Sequence, residues 1–380
     1  MLWSFALFFL ISLCPPYAGG AATGSAAKNQ GAQRAPNPDW EADWTKALDA
    51  AKKEKRLHIY GVASTSVRTA LAKEVASQYG IEVDFVTARG SELVEKVSSE
   101  RRAGMYLADV YLGGATTPIA DFKPKGFLDP MKPLLILPEV TDPKLWYGGN
   151  LYFSDKEKQY VACPILTASN NYLSVNTDLV KPGEIRSYKD LLNPRWKGKI
   201  IINDPTIAGA GSRWFAVVAD RFMGLDYMRE MVKQEPVIIR DQRLQVEGLA
   251  RGKYAIAIGV QPDIQGEFIK AGAHIETIIP AEGAWLGGGP GLIAYFNRAP
   301  HPHASKIFVN WFLSKEGQTV YSKTARAESA RLDVPTDHLD KGDLRTPGVK
   351  YFVSEDEDFL MKKREYEGKW AKEIFGPLAR

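Results

Sequence analysis

Apolar positions in residues 57–79 change from a strand-like to a helix-like spacing over a short distance. The aliphatic run at 57–62 stops at small residues and predicts a buried strand. Apolar residues then recur every four positions and predict one face of a helix: Val67, Leu71, Val75 and Tyr79. The order strand, turn, helix places the small-residue turn at the carboxyl end of the strand.

The turn itself carries three hydroxyls, at Ser64, Thr65 and Ser66. Any of them can cap the helix. No carboxylate follows in the first helical turn, although helix N-termini carry orphan N–H groups and a partial positive charge. The turn is therefore either an ordinary N-cap or a place where an external anion binds.

The same strand–turn–helix order recurs along the chain. Alternating βα units over 57–122 and 198–271 predict parallel strands with helices on the faces of the sheet. The second set contains another turn without an acid, 208–212, before a helix expected to start at Arg213. Near the C-terminus, Ser354 and Glu357 form a capping-box pattern for a final helix.

The N-terminal residues have the composition of an export signal. An apolar stretch and a small-residue stretch predict a signal peptide over 1–22, and polar and small residues predict a flexible linker over 23–38. Cys14 weakly resembles a lipoprotein site. A lipid anchor at Cys14 is therefore an alternative to cleavage of the signal peptide at a later residue. Once the signal is cleaved, Cys163 is the remaining cysteine, and the fold has no intrachain disulfide.

Bulk composition fits a soluble globular protein of two ordinary domains. The chain has 380 residues, 45% hydrophobic and 25% charged, with a net charge of +4. Basic residues are scattered rather than clustered on one stretch, which argues against a nucleic-acid surface.

Three ordered segments resemble a known family. Residues 187–205, SYKDLLNPRWKGKIIINDP, and residues 299–318, APHPHASKIFVNWFLSKEGQ, are similar to characteristic segments of extracellular solute-binding proteins of bacterial ABC importers. Residues 279–283, IPAEG, resemble the crossover between lobes in that family. The similarity is strongest to the branch that includes the ferric-iron-binding proteins.

The resemblance implies an α/β, two-lobed type II periplasmic-binding fold, in which each lobe is a mixed sheet flanked by helices. Lobe 1 would hold residues 39–166 plus 278–380, and lobe 2 would hold residues 167–277. Two hinge strands, in residues 159–171 and 274–280, would connect the lobes. The solute would bind in the cleft, where α/β sheets present the carboxyl ends of their strands.

By position, the ligand loops of the family fall on four stretches of this chain. They contain the turn residues Ser64, Thr65 and Ser66, the loop Gly113, Gly114, Ala115 and Thr116, the turn Ala210, Gly211 and Ser212, and Gln261. Iron-binding relatives carry an adjacent tyrosine pair where this chain has Gln261, and no such pair occurs in the chain. Ferric iron needs anionic or imidazole ligands, whereas hydroxyls and glycine amides suit a carboxylate or phosphonate. An organic anion is therefore preferred, with ferric iron or an iron complex as the alternative.

Several single residues have two interpretations each. Arg213 and Arg68 lie just inside helix starts and are either anion ligands or solvated surface arginines. Trp285, in a glycine-rich loop, either stacks on the solute or packs on its own lobe. The spacing of His301 and His303 resembles that of two metal ligands. Both residues fall at an expected surface helix start, so we predict no metal site and no cofactor there.

The sequence thus predicts an exported binding protein without catalytic residues. It would work in the periplasm or at the outer face of the membrane, as a monomer that delivers a small anion to an ABC permease. A cleft enzyme that uses Cys163 is a further alternative, but no histidine neighbours the thiol in the sequence and a buried structural cysteine is favoured. A sensor that presents its solute to a membrane receptor has the same cleft and is not separable by sequence.

Overall fold

The computed structural model describes residues 39–169 and 173–379. The predicted signal peptide, the linker and Cys14 lie outside the described residues.

The helices follow the predicted apolar spacing closely. Within the described ranges the α-helices are α1 (Trp40–Glu54), α2 (Thr65–Tyr79), α3 (Gly90–Arg102), α4 (Pro138–Thr141), α5 (Ala210–Val217), α6 (Gly224–Lys233), α7 (Gln242–Ala250), α8 (Pro262–Lys270), α9 (Pro302–Leu313), α10 (Lys315–Ala325), α11 (Glu357–Glu365) and α12 (Ala371–Phe375).

The strands are short and fall into three sheets. They are β1 (Arg56–Gly61), β2 (Glu82–Thr87), β3 (Val110–Gly113), β4 (Leu128–Asp129), β5 (Val161–Ala162), β6 (Thr167–Ser169), β7 (Leu173–Asn176), β8 (Ile200–Asn203), β9 (Val237–Ile239), β10 (Ile256–Ile258), β11 (Ile275–Thr277), β12 (Ala284–Gly287), β13 (Leu292–Phe296) and β14 (Tyr351–Val353).

The first sheet has the order β2-β1-β3-β13-β4, and β5 also pairs with β13. β1 is parallel to β2 and β3, as the βα order predicts, whereas β13 is antiparallel to its neighbours. Helix α2 places Val67, Leu71 and Val75 in the core of this sheet. The sheet is therefore mixed and covered by helices, as the type II fold requires.

The second sheet has the order β11-β7-β10-β8-β9. β8 is parallel to both β9 and β10, while β7 runs antiparallel to β10 and β11. Its main core contains Trp214 and Phe215 of α5 and also Phe375 of α12. The C-terminal helices thus pack on the second core, although the resemblance placed residues 278–380 in lobe 1.

A third sheet, β14-β12-β6, joins the other two along the chain. Along the chain, β6 comes just before β7 of the second sheet, and β12 comes between β11 of the second sheet and β13 of the first. The chain therefore passes between the first and second sheets twice, through the antiparallel strands β6 and β12. The second hinge strand was predicted at residues 274–280, and residues 279–283 resemble the crossover of the family. Residues 275–277 instead form β11, because Ile275 and Thr277 pair with β7 at the edge of the second sheet. Residues 279–283 lie between β11 and β12.

The last strand and helix differ from the predicted capping box. Asp356, not Ser354, caps α11 by accepting a hydrogen bond from the N–H of Phe359 at 2.9 Å. The Ser354 hydroxyl donates to the carbonyl oxygen of Leu286 at 3.0 Å, since β14 has brought it against β12. The C-terminal segment is thereby held at the connecting strands.

Candidate ligand site

The turn after β1 presents its hydroxyls to solvent. Ser64 is the N-cap of α2 and accepts from the N–H of Val67 at 3.3 Å, which confirms one of the predicted caps. Ser64 and Ser66 are hydrogen-bonded through their side chains at 3.0 Å, and Arg68 donates to the Thr65 hydroxyl at 2.9 Å. The first turn of α2 contains no acid. An anion can therefore meet hydroxyl donors here without opposing charge from the helix.

The loop after β3 is more enclosed. Gly113 and Ala115 are buried, whereas Gly114 and Thr116 are half-buried. The hydroxyl of Tyr111 donates to the carbonyl oxygen of Gly114 at 3.0 Å and fixes the loop. The loop follows the carboxyl end of a central strand of the first sheet, which is where an α/β sheet presents its ligand loops.

The corresponding segment of the second sheet is a helix start rather than a turn. Helix α5 begins at Ala210, so Ala210, Gly211 and Ser212 form its first turn and the predicted start at Arg213 is wrong. The start moves because Gly209 is the N-cap residue, and its N–H donates to the Ser212 hydroxyl at 3.1 Å. As predicted, the first turn contains no acid.

Arg213 and the Gly114–Thr116 loop line one small cavity. Its volume is about 60 Å³, enough for several water molecules or one small polar group. Four predicted site residues line it: Gly114, Ala115, Thr116 and Arg213. The structure thus brings the loop after β3 and the start of α5 to one cavity.

Other walls of this cavity come from residues that sequence reasoning missed. They are Gly289 and, from the C-terminal segment, Ser354, Glu355, Phe359, Leu360 and Lys363. Glu355 belongs to an acid-rich run, 354–358, that a sequence pattern marks as exposed, yet its side chain is only 6% exposed. The acid-rich composition gave no signal for this placement, because burial here depends on the pairing of β14 with β12.

The remaining predicted residues lie outside the cavity lining. Ser64, Thr65, Ser66 and Gln261 are exposed, and the N–H of Gln261 donates to the side chain of Gln242 at 2.9 Å. Trp285 is 1% exposed and belongs to the core of the second sheet. It packs into the core of the sheet formed by residues 173–277 rather than on its own predicted lobe, and it presents no open ring face to a solute.

Glu355 is held against the connecting strand by polar contacts. Its Oε1 accepts from the N–H of Gly288 at 3.0 Å. Burial raises the pKa of this carboxyl, and Arg213 and Lys363 act in the opposite direction. The cavity therefore contains one buried acid facing two basic side chains.

Cys163 does not have the surroundings of a nucleophile. The thiol is fully buried and donates to the carbonyl oxygen of Ile165 at 3.1 Å. Burial raises its pKa well above the usual range, whereas a reactive cysteine needs a lowered one. The geometry agrees with the structural interpretation of this residue.

His301 and His303 do not form a pair. His301 instead lies with His58 and Asp109, and one ligand atom from each of the three comes within 4.8 Å of the others. The buried Asp109 carboxylate already accepts from the N–H of His58 at 2.7 Å and from Nδ1 and N–H of His301 at 2.8 and 2.7 Å. The buried Asp109 carboxylate thus has its hydrogen-bond donors within this group. The three residues are not part of the cavity lining.

Comparison with known proteins identifies the family. A sequence profile described as bacterial extracellular solute-binding protein matches residues 70–341. An uncharacterized protein of Haemophilus influenzae is 27% identical over 284 residues, which cover 71% of this chain and 76% of that protein. Iron uptake protein A1 of Synechocystis sp. is 21% identical over 159 residues, 40% of this chain and 39% of that protein.

Solved structures share the fold at lower identity. The periplasmic binding protein AfuA from Actinobacillus pleuropneumoniae, with exogenous fructose-6-phosphate bound, is 20% identical with a TM-score of 0.55, covering 84% of this chain and 98% of its own. Trichodesmium IdiA (FutA), in complex with iron and citrate, is 15% identical with a TM-score of 0.59, covering 85% and 99%. These similarities establish the mixed α/β type II periplasmic-binding fold.

Among the described helices, none combines the length and apolar character that a membrane span requires. The profile match covers well over half of the sequence. The chain therefore belongs to the bacterial extracellular solute-binding proteins, the components that bind a small solute for an ABC permease.

Proposed function

We propose that this protein captures a small organic anion, of the carboxylate or phosphonate type, between its two lobes and delivers it to an ABC permease. The observation that carries the proposal is the position of Arg213, which lines one cavity together with the Gly114–Thr116 loop. A guanidinium, a threonine hydroxyl and backbone N–H groups are donors that suit carboxylate or phosphate oxygens.

The donor inventory near the strand ends supports an anion over bare iron. Ser64, Thr65 and Ser66 are neutral and exposed, and neither α2 nor α5 has an acid in its first turn. Iron-binding relatives resembled by this chain carry tyrosines where it has Gln261. The related structures include one with a sugar phosphate and one with iron and citrate, so both classes of ligand belong in the test.

The lobe division remains part of this proposal. We place lobe 1 at residues 39–166 plus 278–380 and lobe 2 at 167–277, with the C-terminal helices packed across to the core of lobe 2. Strands β6 and β12 would act as the hinge, and closure of the lobes would enclose the solute. Export by the predicted signal would place the protein in the periplasm or at the outer face of the membrane, where a monomer meets its permease.

A thermal-shift panel tests the proposed function. Citrate, succinate, benzoate, a phosphonate, fructose 6-phosphate and ferric citrate would be compared with ferric ion alone. Because a ligand that binds only the folded state stabilises it by about 2.7 kcal/mol at a hundred times its Kd, at least one organic anion is expected to raise the Tm.

Matched arginine variants locate the response. Arg213→Gln should abolish the rise in Tm, while Arg251→Gln, at a side chain that is 77% exposed, should keep it. A rise with ferric ion alone, unaffected by Arg213→Gln, would contradict the anion assignment and favour the iron alternative.

A further inference from the structure

The C-terminal strap, defined here as residues 350–375, forms part of the ligand cavity. It begins with β14, which adds a parallel strand to the connecting strand β12, and it continues through α11 to α12. From it, Glu355 and Lys363 face the same cavity as Arg213. A segment beyond both sheets thus supplies charges to the predicted anion site.

Ion pairs fix the strap on both sides of the cavity. They join it to residues that follow the β3 loop and to residues that follow α5: Lys123–Glu357 at 2.6 Å, Arg364–Asp121 at 3.1 Å and Arg221–Asp356 at 3.2 Å. Glu355 precedes the anchored residues Asp356 and Glu357 in the chain. The ion pairs of the strap therefore hold Glu355 in place without a bound solute.

Gly287 lies beside both Arg213 and Glu355. A Cβ on Gly287 would lie 3.1 Å from Nη1 of Arg213 and 3.5 Å from Oε1 of Glu355. The bare glycine therefore leaves a space that the guanidinium of Arg213 and the carboxylate of Glu355 both border. The N–H of Gly288 and, at 3.5 Å, the hydroxyl of Ser354 also donate to this carboxylate oxygen.

The basic side chains that line the cavity lie near carboxylates of the strap. Arg213 and Lys363 face Glu355, and Lys363 also lies 3.5 Å from Glu367, on the next turn of the strap. The Ser212 hydroxyl donates to Glu367 at 3.4 Å. Two predicted anion ligands, Ser212 and Arg213, thus already face carboxylates of the strap, of which Glu355 is the buried one.

We propose that Glu355 occupies, beside Arg213, the position that an acidic group of the solute takes on binding, and so determines which anions the site accepts. The proposal rests on the proposed function, because it assumes that the solute is an anion. An incoming anion that reaches Arg213 must displace this carboxylate from the shared cavity or bind against its like charge. Weak or monodentate anions are excluded, whereas a carboxylate or phosphate that makes paired hydrogen bonds to Arg213 competes.

Binding of two defined probes tests this role. Succinate and inorganic phosphate would be titrated by calorimetry at pH 7.5 into the wild type, Glu355→Gln and Glu365→Gln. The first variant keeps the size of the side chain and removes the competing charge, so its affinity for at least one probe should rise tenfold or more. Glu365, the last residue of α11 in the same strap, is 57% exposed, and its variant should bind as the wild type does. Adding Arg213→Gln to Glu355→Gln should remove the gain.

The outcomes separate the two proposals. If the wild type binds a probe and Glu355→Gln binds it equally or more weakly, Glu355 does not occupy the position of an acidic group of the solute. The proposal that the solute is an anion then still stands. If neither protein binds any anion in the panel, both proposals are wrong. Should Glu355→Gln fail to fold, Lys363→Gln decides, since loss of this facing cation should weaken probe binding at least fivefold and an unchanged affinity would overturn the inference.

Discussion

The side-chain oxygen of Asn203 accepts a hydrogen bond of 3.0 Å from the backbone N–H of Gly211. This contact joins the carboxyl end of β8 to the first turn of α5, the helix that carries Arg213. Only glycine fits, because a Cβ at position 211 would lie 1.9 Å from the backbone oxygen of Asn203. Asn203 therefore sets the distance between the strand end and the cavity wall.

Asn203→Ala should lower the free energy of unfolding by about 1–3 kcal/mol, because the buried N–H of Gly211 loses its acceptor. The same variant should weaken anion binding through displacement of Arg213. Urea unfolding measures the first effect and calorimetric titration the second. Asn150→Ala, at an exposed side chain with one bond to Gly148, should change stability by about 0.5 kcal/mol or less. Equal losses for the two variants would contradict this role of Asn203.

Arg331 is the basis of a second stability prediction. Its side chain is fully buried and pairs with Asp333 at 2.9 Å and Glu139 at 3.0 Å. Arg331→Met would leave both carboxylates, and the carbonyl oxygens of Glu139 and Leu313, without this donor and should cost about 1–3 kcal/mol in urea unfolding. Arg326→Met, at a surface pair 60% exposed, should stay within about 1 kcal/mol of the wild type.

Glu355 predicts a pH dependence of stability. Burial raises the pKa of this carboxyl in the folded state, so the folded protein holds the proton more tightly than the unfolded chain, whose glutamates titrate near 4.3. Its contribution to stability is therefore fully present below the unfolded pKa and is lost as the pH rises through the folded pKa. In Glu355→Gln the side chain is neutral at every pH, so this variant does not lose stability in this way as the pH rises.

Urea unfolding of the two proteins from pH 4 to pH 8 checks the sign. The stability of Glu355→Gln relative to the wild type should increase across this range. A difference that stays constant with pH would show that Arg213 and Lys363 offset the penalty of burial, and one that falls as the pH rises would show that they outweigh it.

The Cys163 thiol should be protected from reagents in the native protein. In a Cys14→Ser background it is the single thiol of the chain. Because it is fully buried and its pKa is raised, labelling with an aromatic disulfide at pH 8 should be slower than for a small-molecule thiol by at least a hundredfold. Rapid labelling without denaturant would reopen the catalytic alternative for this cysteine.

Much of the fold could be predicted because its signals are local. The spacing of Val67, Leu71 and Val75 fixes the buried face of α2, and Ser64 caps that helix as its position predicts. The second hinge strand was expected at residues 274–280, one strand before β12, because strand pairing between segments distant in sequence leaves no periodic trace. Residues 274–280 and 284–287 are both short and apolar, and only the partner of each strand distinguishes them.

The site could be predicted only in part, and for the same reason. Arg213 and Thr116 come after strand ends, where the fold type itself directs attention. Trp285 was a candidate because a glycine-rich loop suggested exposure, but pairing with β6 and β14 places it in the core. Glu355 was missed because its burial depends on a strand that joins the sheet from the far end of the chain.

Strand β14 also has a consequence for self-association. It covers the edge of β12, whose backbone groups at residues 284–287 would otherwise be open to pairing with another molecule. β14 is itself only three residues long, and so short an edge offers little template for a further strand. Release of the whole strap would therefore expose the edge of β12 and favour aggregation. Displacement of Glu355 by an acidic group of the solute avoids this exposure, because only one side chain moves and β14 remains paired with β12.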